Sequence, residues 1–460
     1  MRVIAALRTL METATKRKTI LMALLPMALA VLLAITLLPK EGNAEGPVHS
    51  APDAGTDSAA NVAEVARGAY LARLGDCSAC HSVPGMPDFT GGLAIHSPLG
   101  TIYTTNITPD RETGIGNYSL RDFDRALREG ESPRHRLYPA MPYPSFTKIS
   151  SDDIRALYAY FMQGVTPVRR VPPATKLPFP FDQRWGMALW NVAFLDAGVY
   201  RYDVTRNQSW NRGAYLVQGL GHCGSCHTPR GLAYQEHGYS QRSADYLTGG
   251  VNDLWFAPNL SGNATVGLGN WDVAQIVQFL KTGHGAATMA FGPMKQVVAD
   301  SLQHVDDSDL ASIATYLKSL VPRPKGDVFR PDTGSARTVA WLASGDVHVP
   351  GGGLYNNFCA KCHKADGRGE KLKAPALAGS GVVRSSNPAS VIHIILSGGK
   401  PHLPPGMAAI DAMPAFDGQF DDRQVAEVAS FVRRSWGNAA SPVTTRTVRM
   451  QRAAIAAEKN

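Results

Sequence analysis

This chain has 460 residues, enough for several domains of ordinary size, and a formal net charge of +8. The positive charge lies at the two ends: residues 1–40 carry six Lys or Arg against Glu12, and residues 439–460 carry four against Glu458. The body between them is neutral on balance. It therefore lacks the basic excess that nucleic-acid binding needs, and we expect no nucleic-acid partner.

The first predicted element is an export signal or N-terminal membrane anchor at residues 1–44. Lys16-Arg17-Lys18 precedes an uncharged stretch from Thr19 to Leu38, which as a helix would reach about 30 Å, enough to cross a bilayer. Small residues follow as far as Ala44, so cleavage there and retention as an anchor both remain open. In either case the cationic flank stays in the cytoplasm, and we expect the rest of the chain on the periplasmic side of the inner membrane.

Residues 45–60 are rich in Gly, Ala, Ser and Pro and show no periodicity, which predicts a flexible tether. Beyond it, all six cysteines fall in three copies of the motif Cys-x-x-Cys-His. In this motif two thiols bond covalently to haem and the histidine binds its iron. The cysteines are Cys77, Cys80, Cys223, Cys226, Cys359 and Cys362, and the histidines are His81, His227 and His363.

A redox disulfide or half of a zinc site is the alternative for one isolated Cys-x-x-Cys pair. These three pairs begin 146 and 136 residues apart, which is domain spacing and not the spacing of two halves of one zinc site. The sequence therefore predicts three covalently bound haem c groups.

Proline-rich seams after Val165 and Val321 divide the exported chain into three haem-motif segments. The predicted divisions are a first segment 61–165, a connector 166–207, a second segment 208–320, a linker 321–344, a third segment 345–438 and a basic tail 439–460. The segments repeat one another: Arg67-Gly-Ala-Tyr70 recurs as Arg212-Gly-Ala-Tyr215, and Gly114-Ile-Gly-Asn-Tyr118 as Gly267-Leu-Gly-Asn-Trp271. Three tandem domains are the simplest interpretation.

Each segment is predicted to be helical, with a short helix before the haem motif and a closing helix opened by acidic residues. A glycine of the first helix, namely Gly68, Gly213 or Gly353, would let that helix approach the closing helix. An aromatic residue marks the same place on each closing helix, namely Tyr160, Tyr316 or Phe431. We expect an all-α fold.

The second iron ligand is sought among methionines, since a Met thioether opposite His gives a six-coordinate iron suited to electron transfer. Met141 lies 19 residues before Tyr160, and Met413 lies 18 before Phe431, while Met407 lies 24 before it. We therefore choose Met141 and Met413. In the second segment both Met294 and Met289 are available, and spacing favours Met294.

Other features allow two interpretations each. The connector residues Trp185, Trp190 and Phe194 either contact a partner or pack between domains. The tail forms either a helix with Arg446, Arg449 and Arg452 near one face, suited to anionic headgroups, or a solvated coil. His222 is expected to be packed or solvated, and Gly351–Gly353 to be a linker turn. No nucleophile–base pair, phosphate loop or dinucleotide fingerprint is present in a convincing context.

Over about residues 60–438 the chain resembles the triple-haem cytochrome c subunits of bacterial membrane-bound dehydrogenases that oxidise alcohols, gluconate and related sugars or polyols. The resemblance rests on five stretches of sequence. They begin at Arg67 (RGAYLARLGDCSACH), Tyr103 (YTTNITPD), Leu137 (LYPAMPYPSFTK), Pro178 (PFPFDQR) and Trp210 (WNRGAY).

The resemblance implies three tandem class I cytochrome c domains joined by proline-rich linkers, with axial pairs His81/Met141, His227/Met294 and His363/Met413. It also implies a catalytic partner carrying pyrroloquinoline quinone or flavin, with a small accessory subunit as a further partner. Electrons would pass to ubiquinone or a terminal oxidase. A general multi-haem carrier and, less favoured, a multi-haem peroxidase are the alternatives; the third segment matches the family least well.

Overall fold

The computed structural model describes residues 56–97, 99–252, 254–285, 288–324, 335–345, 349–404, 406 and 410–458. The predicted export signal or anchor, its cleavage point and residues 45–55 of the predicted tether lie outside these ranges, as does Met407. Residues 56–60, predicted as the end of the flexible tether, belong to the first helix. Within the described ranges, no helix is long and apolar enough to cross a bilayer. The stretch Ser58–Asn460 forms one compact unit.

The first segment begins with a long helix and ends with the predicted closing helix. Its elements are α1 Thr56–Leu74, α2 Cys77–His81, β1 Ala94–Ser97, β2 Gly100–Tyr103, α3 Leu120–Glu129, α4 Tyr143–Phe146 and α5 Ser151–Ala159. A π-helical turn, Tyr160–Gly164, continues α5. The N-terminus of α3 is fixed by a capping box in which the Ser119 and Asp122 side chains satisfy each other's backbone NH groups.

The connector and second segment repeat this order. Helix α6 Gly186–Phe194 lies in the connector, followed by α7 Gln208–Gln218, α8 Gly224–His227, β3 Gly250–Asn252, β4 Trp255–Ala257, α9 Val273–Thr282, α10 Pro293–Asp300 and α11 Asp307–Lys318. A short 3-10 turn, Leu302–His304, joins the last two helices.

The third segment contains no named strand among its described residues. Helix α12 Ser335–Ser344 precedes it, and its elements are α13 Gly352–Leu354, α14 Ala360–His363, α15 Gly381–Arg384, α16 Ala389–Ser397 and α17 Asp422–Arg434. A π-helical turn, Tyr355–Cys359, joins α13 to α14. The tail then forms α18, Thr445–Glu458.

The fold is mostly helical, as predicted, and also contains two short β-hairpins. Strands β1 and β2 form an antiparallel hairpin, and so do β3 and β4 at the matching place in the second segment. Their turns include Gly100 (φ 124°) and Leu254 (φ 63°). Strands of three or four residues are too short to show a clear alternating pattern, so the sequence did not reveal them.

Two hydrophobic cores hold the described chain together. One runs continuously from Leu71 to Leu320 and joins the first and second segments, while the other extends from Leu342 to Ile455. The proline-rich stretch after Val165 folds back over the first segment, where the Asn106 side chain donates to the carbonyl of Val168 (2.8 Å). The proline-rich stretch after Val165 is therefore packed against the first segment.

The predicted glycine contacts are confirmed in two segments and displaced in the third. A Cβ added at Gly68 would lie 1.9 Å from the Ala156 carbonyl oxygen, and one at Gly213 would lie 1.9 Å from that of Ser312. In the third segment the close approach falls at Gly351, where a Cβ would lie 2.2 Å from the Glu427 oxygen. Gly351 has a φ of 81°, so the chain enters α13 by a left-handed turn and contacts α17 two residues earlier than expected.

The tail is a packed helix and not a solvated coil. Val448 and Ile455 are buried against the third segment's core. The guanidinium of Arg452 donates to Asp422 at 2.8 Å, and that of Arg449 donates to the same carboxylate at 3.3 Å. Two of the three arginines proposed for lipid headgroups are thus paired within the chain.

Candidate haem sites

The three Cys-x-x-Cys-His motifs form three short helices, α2, α8 and α14. All six cysteines are partly or largely exposed. In the first two motifs the preceding residue has a left-handed backbone, with φ 52° at Asp76 and 35° at His222. This tight turn leads into a helix that begins at Cys77 in the first motif and at Gly224, directly after Cys223, in the second.

Each motif histidine makes the same hydrogen bond to a backbone carbonyl. Nδ1 of His81 lies 2.7 Å from the Thr105 oxygen, and Nδ1 of His227 lies 2.7 Å from the Pro258 oxygen. Nδ1 of His363 lies 2.9 Å from a third carbonyl, that of Pro375. Because a carbonyl can only accept, Nδ1 must carry the proton and Nε2 is left with a free lone pair. This is the tautomer that an iron ligand requires.

Burial keeps these side chains neutral. It lowers the pKa of His81, His227 and His363, and the backbone hydrogen bonds offset only part of that effect. Burial also raises the pKa of the first thiol of each motif, Cys77, Cys223 and Cys359, to about 12. A neutral imidazole with a free Nε2, next to two thiols, fits the donor set of covalently bound haem.

The carbonyl of Thr105, which orients His81, lies in the stretch YTTNITPD already noted for the family resemblance, whereas sequence reasoning did not single out the loop around Pro258 that orients His227. An asparagine follows each of them, Asn106 after Thr105 and Asn259 after Pro258. The Asn259 side chain donates to the Arg323 carbonyl at 2.6 Å, in the second proline-rich stretch. Asn106 likewise donates to the Val168 carbonyl in the first proline-rich stretch. The similar sequences Asn106-Ile-Thr and Asn259-Leu-Ser, at equivalent places in the two segments, could have indicated this shared loop structure.

Met141 and Met294 occupy equivalent positions in their segments. Helices α3 and α9 both end at a left-handed glycine, Gly130 and Gly283, and each methionine stands 11 residues beyond that glycine. The residue seven beyond the glycine donates its NH to the glycine carbonyl in both cases, at 2.7 Å. Both methionines are partly buried and pack against the shared core.

Met289 lies at a different place in the loop. It pairs with His284 in an isolated antiparallel bridge, at the position that Arg136 takes opposite Glu131 in the first segment. A surface arginine is thus the structural counterpart of Met289. The loop geometry therefore distinguishes the two methionines that spacing alone left in competition.

Met413 is held in a different way. Its backbone NH donates to the Gly399 carbonyl at 2.8 Å, and the Gly399 NH donates to the Met413 carbonyl at 2.9 Å. Its partly buried side chain packs against the third segment's own core. The third loop is therefore built differently from the first two.

The first segment contacts the residue that precedes the second motif through two stacked aromatic rings. Phe146, at the end of the short helix that follows Met141, stacks on His222 with ring centroids 5.6 Å apart and an angle of 20° between the planes. His222 directly precedes Cys223, and its Nδ1 hydrogen bonds to the Gly221 carbonyl at 2.7 Å. His222 is therefore a packed residue, as expected.

Comparison with known proteins agrees with this geometry. Residues 211–321 match the family model described as cytochrome c, and residues 348–432 match that of cytochrome c oxidase, cbb3-type, subunit III. The chain is 45% identical over 396 residues to the gluconate 2-dehydrogenase cytochrome c subunit of Pantoea cypripedii, covering 85% of this chain and 89% of that one. This chain belongs to the family of dehydrogenase cytochrome c subunits.

Two further relatives carry related names. The chain is 44% identical to the cytochrome c subunit of alcohol dehydrogenase (quinone) from Gluconobacter oxydans strain 621H, over 82% of this chain and 80% of that one. It is 36% identical to the fructose dehydrogenase cytochrome subunit of Gluconobacter japonicus, over 88% and 86%. As a dehydrogenase cytochrome c subunit, the chain contains haem c domains and serves electron transfer.

Proposed function

We propose that this chain receives electrons from a catalytic dehydrogenase subunit and relays them through three covalently bound haem c groups to ubiquinone or a terminal oxidase. The observation that carries the proposal is the repeated histidine geometry. Each Cys-x-x-Cys pair is followed by an imidazole whose Nδ1 is engaged by a backbone carbonyl, so that Nε2 is free for iron.

We assign the axial pairs as His81/Met141, His227/Met294 and His363/Met413. The equal distance of Met141 and Met294 from their left-handed glycines supports the first two pairs. The partly buried side chain of Met413 supports the third. Six-coordinate irons pass electrons and leave no open position for a substrate, so this chain alone oxidises nothing.

The proposal includes the organisation of the chain and of its complex. Three tandem class I cytochrome c domains occupy about residues 61–165, 208–320 and 345–438. The N-terminal segment directs export or anchors the chain, and the protein works at the periplasmic side of the inner membrane. Its catalytic partner carries flavin or pyrroloquinoline quinone, a small accessory subunit is a further partner, and nucleic acid plays no part.

A second candidate is a general multi-haem carrier that serves an oxidase without a dedicated dehydrogenase. The match of residues 348–432 to a subunit of a cbb3-type oxidase is the observation in its favour. The names of the three relatives above favour the dehydrogenase. A multi-haem peroxidase is disfavoured because a partly buried methionine stands in each segment.

Deletion of the gene tests the function. We expect loss of respiration on the partner's substrate, assayed with gluconate, ethanol and fructose, while dehydrogenase activity with an artificial dye is retained in membranes. Survival of respiration on all these substrates, or oxidation of one of them by the purified cytochrome alone, would contradict the proposal. Re-expression of the intact gene is the matched control.

A further inference from the structure

The connector helix α6 presents an apolar face to solvent. Trp185, Leu189 and Val192 stand at i, i+4 and i+7 and therefore share one side of the helix. Their exposed fractions are 67%, 52% and 88%. Trp190, on the other side, is buried. Solvent-exposed apolar residues normally occur singly, so a row of three needs an explanation.

Further exposed apolar side chains precede the helix in the chain or lie on a loop that is hydrogen bonded to it. Phe179 and Phe181 precede the helix with 80% and 45% of their surface exposed, and Leu232 is fully exposed on a loop of the second segment. The Trp190 indole NH donates to the carbonyl of Ala233 at 2.9 Å, which ties that loop to α6. We call this surface the connector patch: Phe179, Phe181, Trp185, Leu189, Val192 and Leu232.

The patch is held rigidly. The Tyr138 hydroxyl donates to the Phe181 carbonyl at 2.8 Å, and the Arg184 guanidinium lies 3.8 Å above the Tyr138 ring. The Tyr143 hydroxyl donates to the Asn191 side chain at 2.7 Å. A preorganised surface loses little conformational entropy when it binds a partner.

Hydrogen bonds connect the patch region to two of the candidate haem sites. Tyr143 lies two residues beyond Met141, the proposed iron ligand of the first segment. The loop that carries Leu232 is fixed to the second motif by Arg230, whose guanidinium donates to the Ser225 carbonyl at 2.7 Å. The patch is therefore connected by hydrogen bonds to elements that flank both sites.

The chemistry of the patch favours a protein over a lipid surface. No lysine occurs between Lys176 and Lys281. Arg184, the arginine within residues 179–192, is folded onto Tyr138, and Arg230, near Leu232, donates to the backbone carbonyls of Ser225 and Tyr234. Helices that lie on membranes are rich in Lys and Arg, whereas protein interfaces are depleted of Lys and enriched in Trp and Phe. The six side chains offer on the order of 800 Å², about the share of one partner in a standard interface.

We propose that the connector patch is the docking surface for the catalytic dehydrogenase subunit, and that electrons enter the chain beside it. This inference rests on the proposed function, because it requires that such a subunit exists. Trp185 is its central anchor, flanked by Leu189 and Val192.

The test is purification of the tagged full chain from its native membranes with Leu189→Glu and Val192→Glu combined. The matched control combines Val62→Glu and Met450→Glu, two apolar helical residues that are also largely exposed but lie outside the patch. Three measurements are made: dye-linked dehydrogenase activity retained with the tag on gluconate, ethanol and fructose, haem reduction by the same substrates, and the haem spectrum.

We expect the dehydrogenase activity that co-purifies with the patch variant to be lower than that of the control by a factor of about ten or more. The haem spectrum and the fraction of the cytochrome found in membranes should be unchanged. Activity retained at the wild-type ratio would overturn the docking proposal, and release of the variant from membranes with the dehydrogenase still attached would assign the patch to the bilayer. If the wild-type chain itself retains no dehydrogenase activity, the proposed function fails together with this inference.

Discussion

The Tyr215 hydroxyl lies 2.5 Å from the Asp153 carboxylate, although these residues belong to different haem-motif segments. The reciprocal contact is also present: the Tyr70 hydroxyl lies 2.7 Å from the Asp309 carboxylate. Each carboxylate also accepts from an arginine of its own segment, Asp153 from Arg67 in the first and Asp309 from its counterpart in the second. The repeated Arg-Gly-Ala-Tyr sequence therefore makes two kinds of contact. Its arginine binds the carboxylate of its own segment, and its tyrosine binds the carboxylate of the other segment.

These reciprocal bonds predict a stability effect. Tyr215→Phe should lower the free energy of unfolding by about 2 kcal/mol, because it removes a hydrogen bond to a buried carboxylate. Tyr200→Phe is the matched control, since its hydroxyl bonds to the neutral amide of Asn211 and its loss should cost about 1 kcal/mol. Urea titration measures both variants. Equal effects would show that the charged acceptor adds nothing.

A pH dependence follows from Asp309. Burial raises its pKa, but hydrogen bonds from Arg212 and Tyr70 outweigh burial, and the pKa lies below its ordinary value. The stabilisation is therefore fully present above the unfolded pKa of about 4 and is lost as pH falls through the lowered folded pKa. The destabilisation caused by Asp309→Asn should be largest near neutral pH and shrink below about pH 4.

The control for this pH dependence is Asp307→Asn, on the same helix, whose side chain is 81% exposed. Its effect on the unfolding free energy should stay small across the same pH range. The pH argument would be refuted by an Asp309→Asn effect that stays constant from pH 7 to pH 3.

The second segment offers a direct choice between two methionines. Met294→Leu should abolish one sulfur–iron charge-transfer signal and lower one haem potential, because leucine preserves volume but cannot bind iron. Met289→Leu, the matched control, should leave both unchanged. Absorption spectroscopy and redox titration of the purified cytochrome distinguish them, and the opposite pattern would reassign the ligand to Met289.

The number of haems is measurable by mass spectrometry of the denatured chain. We expect three covalent haems in protein matured in its own cells, since each of the three motifs has two cysteines and an oriented histidine. Replacing Cys359 and Cys362 by alanine should remove one haem and leave two. Fewer than three haems in the unaltered chain would contradict the assignment.

The third segment is predicted to depend on Gly351. Gly351→Ala should destabilise that segment by about 3 kcal/mol or more, because its φ of 81° and the 2.2 Å approach to the Glu427 oxygen leave no room for a Cβ. Gly353→Ala, inside the short helix α13, should be nearly neutral. Urea unfolding followed at the third haem measures the difference, and a larger effect at Gly353 would restore the sequence-based register.

Local chemistry is what the sequence by itself determined. The Cys-x-x-Cys-His spacing specifies thiols and an imidazole on one short helix, since these five residues need no distant partner to lie together. The acidic first turns of the closing helices, and the close approach at Gly68 and Gly213, could also be predicted from the sequence, because the same residues recur in two segments. The internal repeat indicated tandem domains, and the resemblance of five stretches to known sequences indicated the family.

Tertiary structure decided every relationship that depends on distant partners. Whether Met294 or Met289 lies in the position of Met141 follows from a loop geometry that spacing only approximates. The pairing of Arg452 with Asp422, and of Tyr215 with Asp153, joins residues 30 and 62 positions apart. Such contacts depend on how segments pack, and packing energy is shared among many side chains, so no single local pattern reveals it.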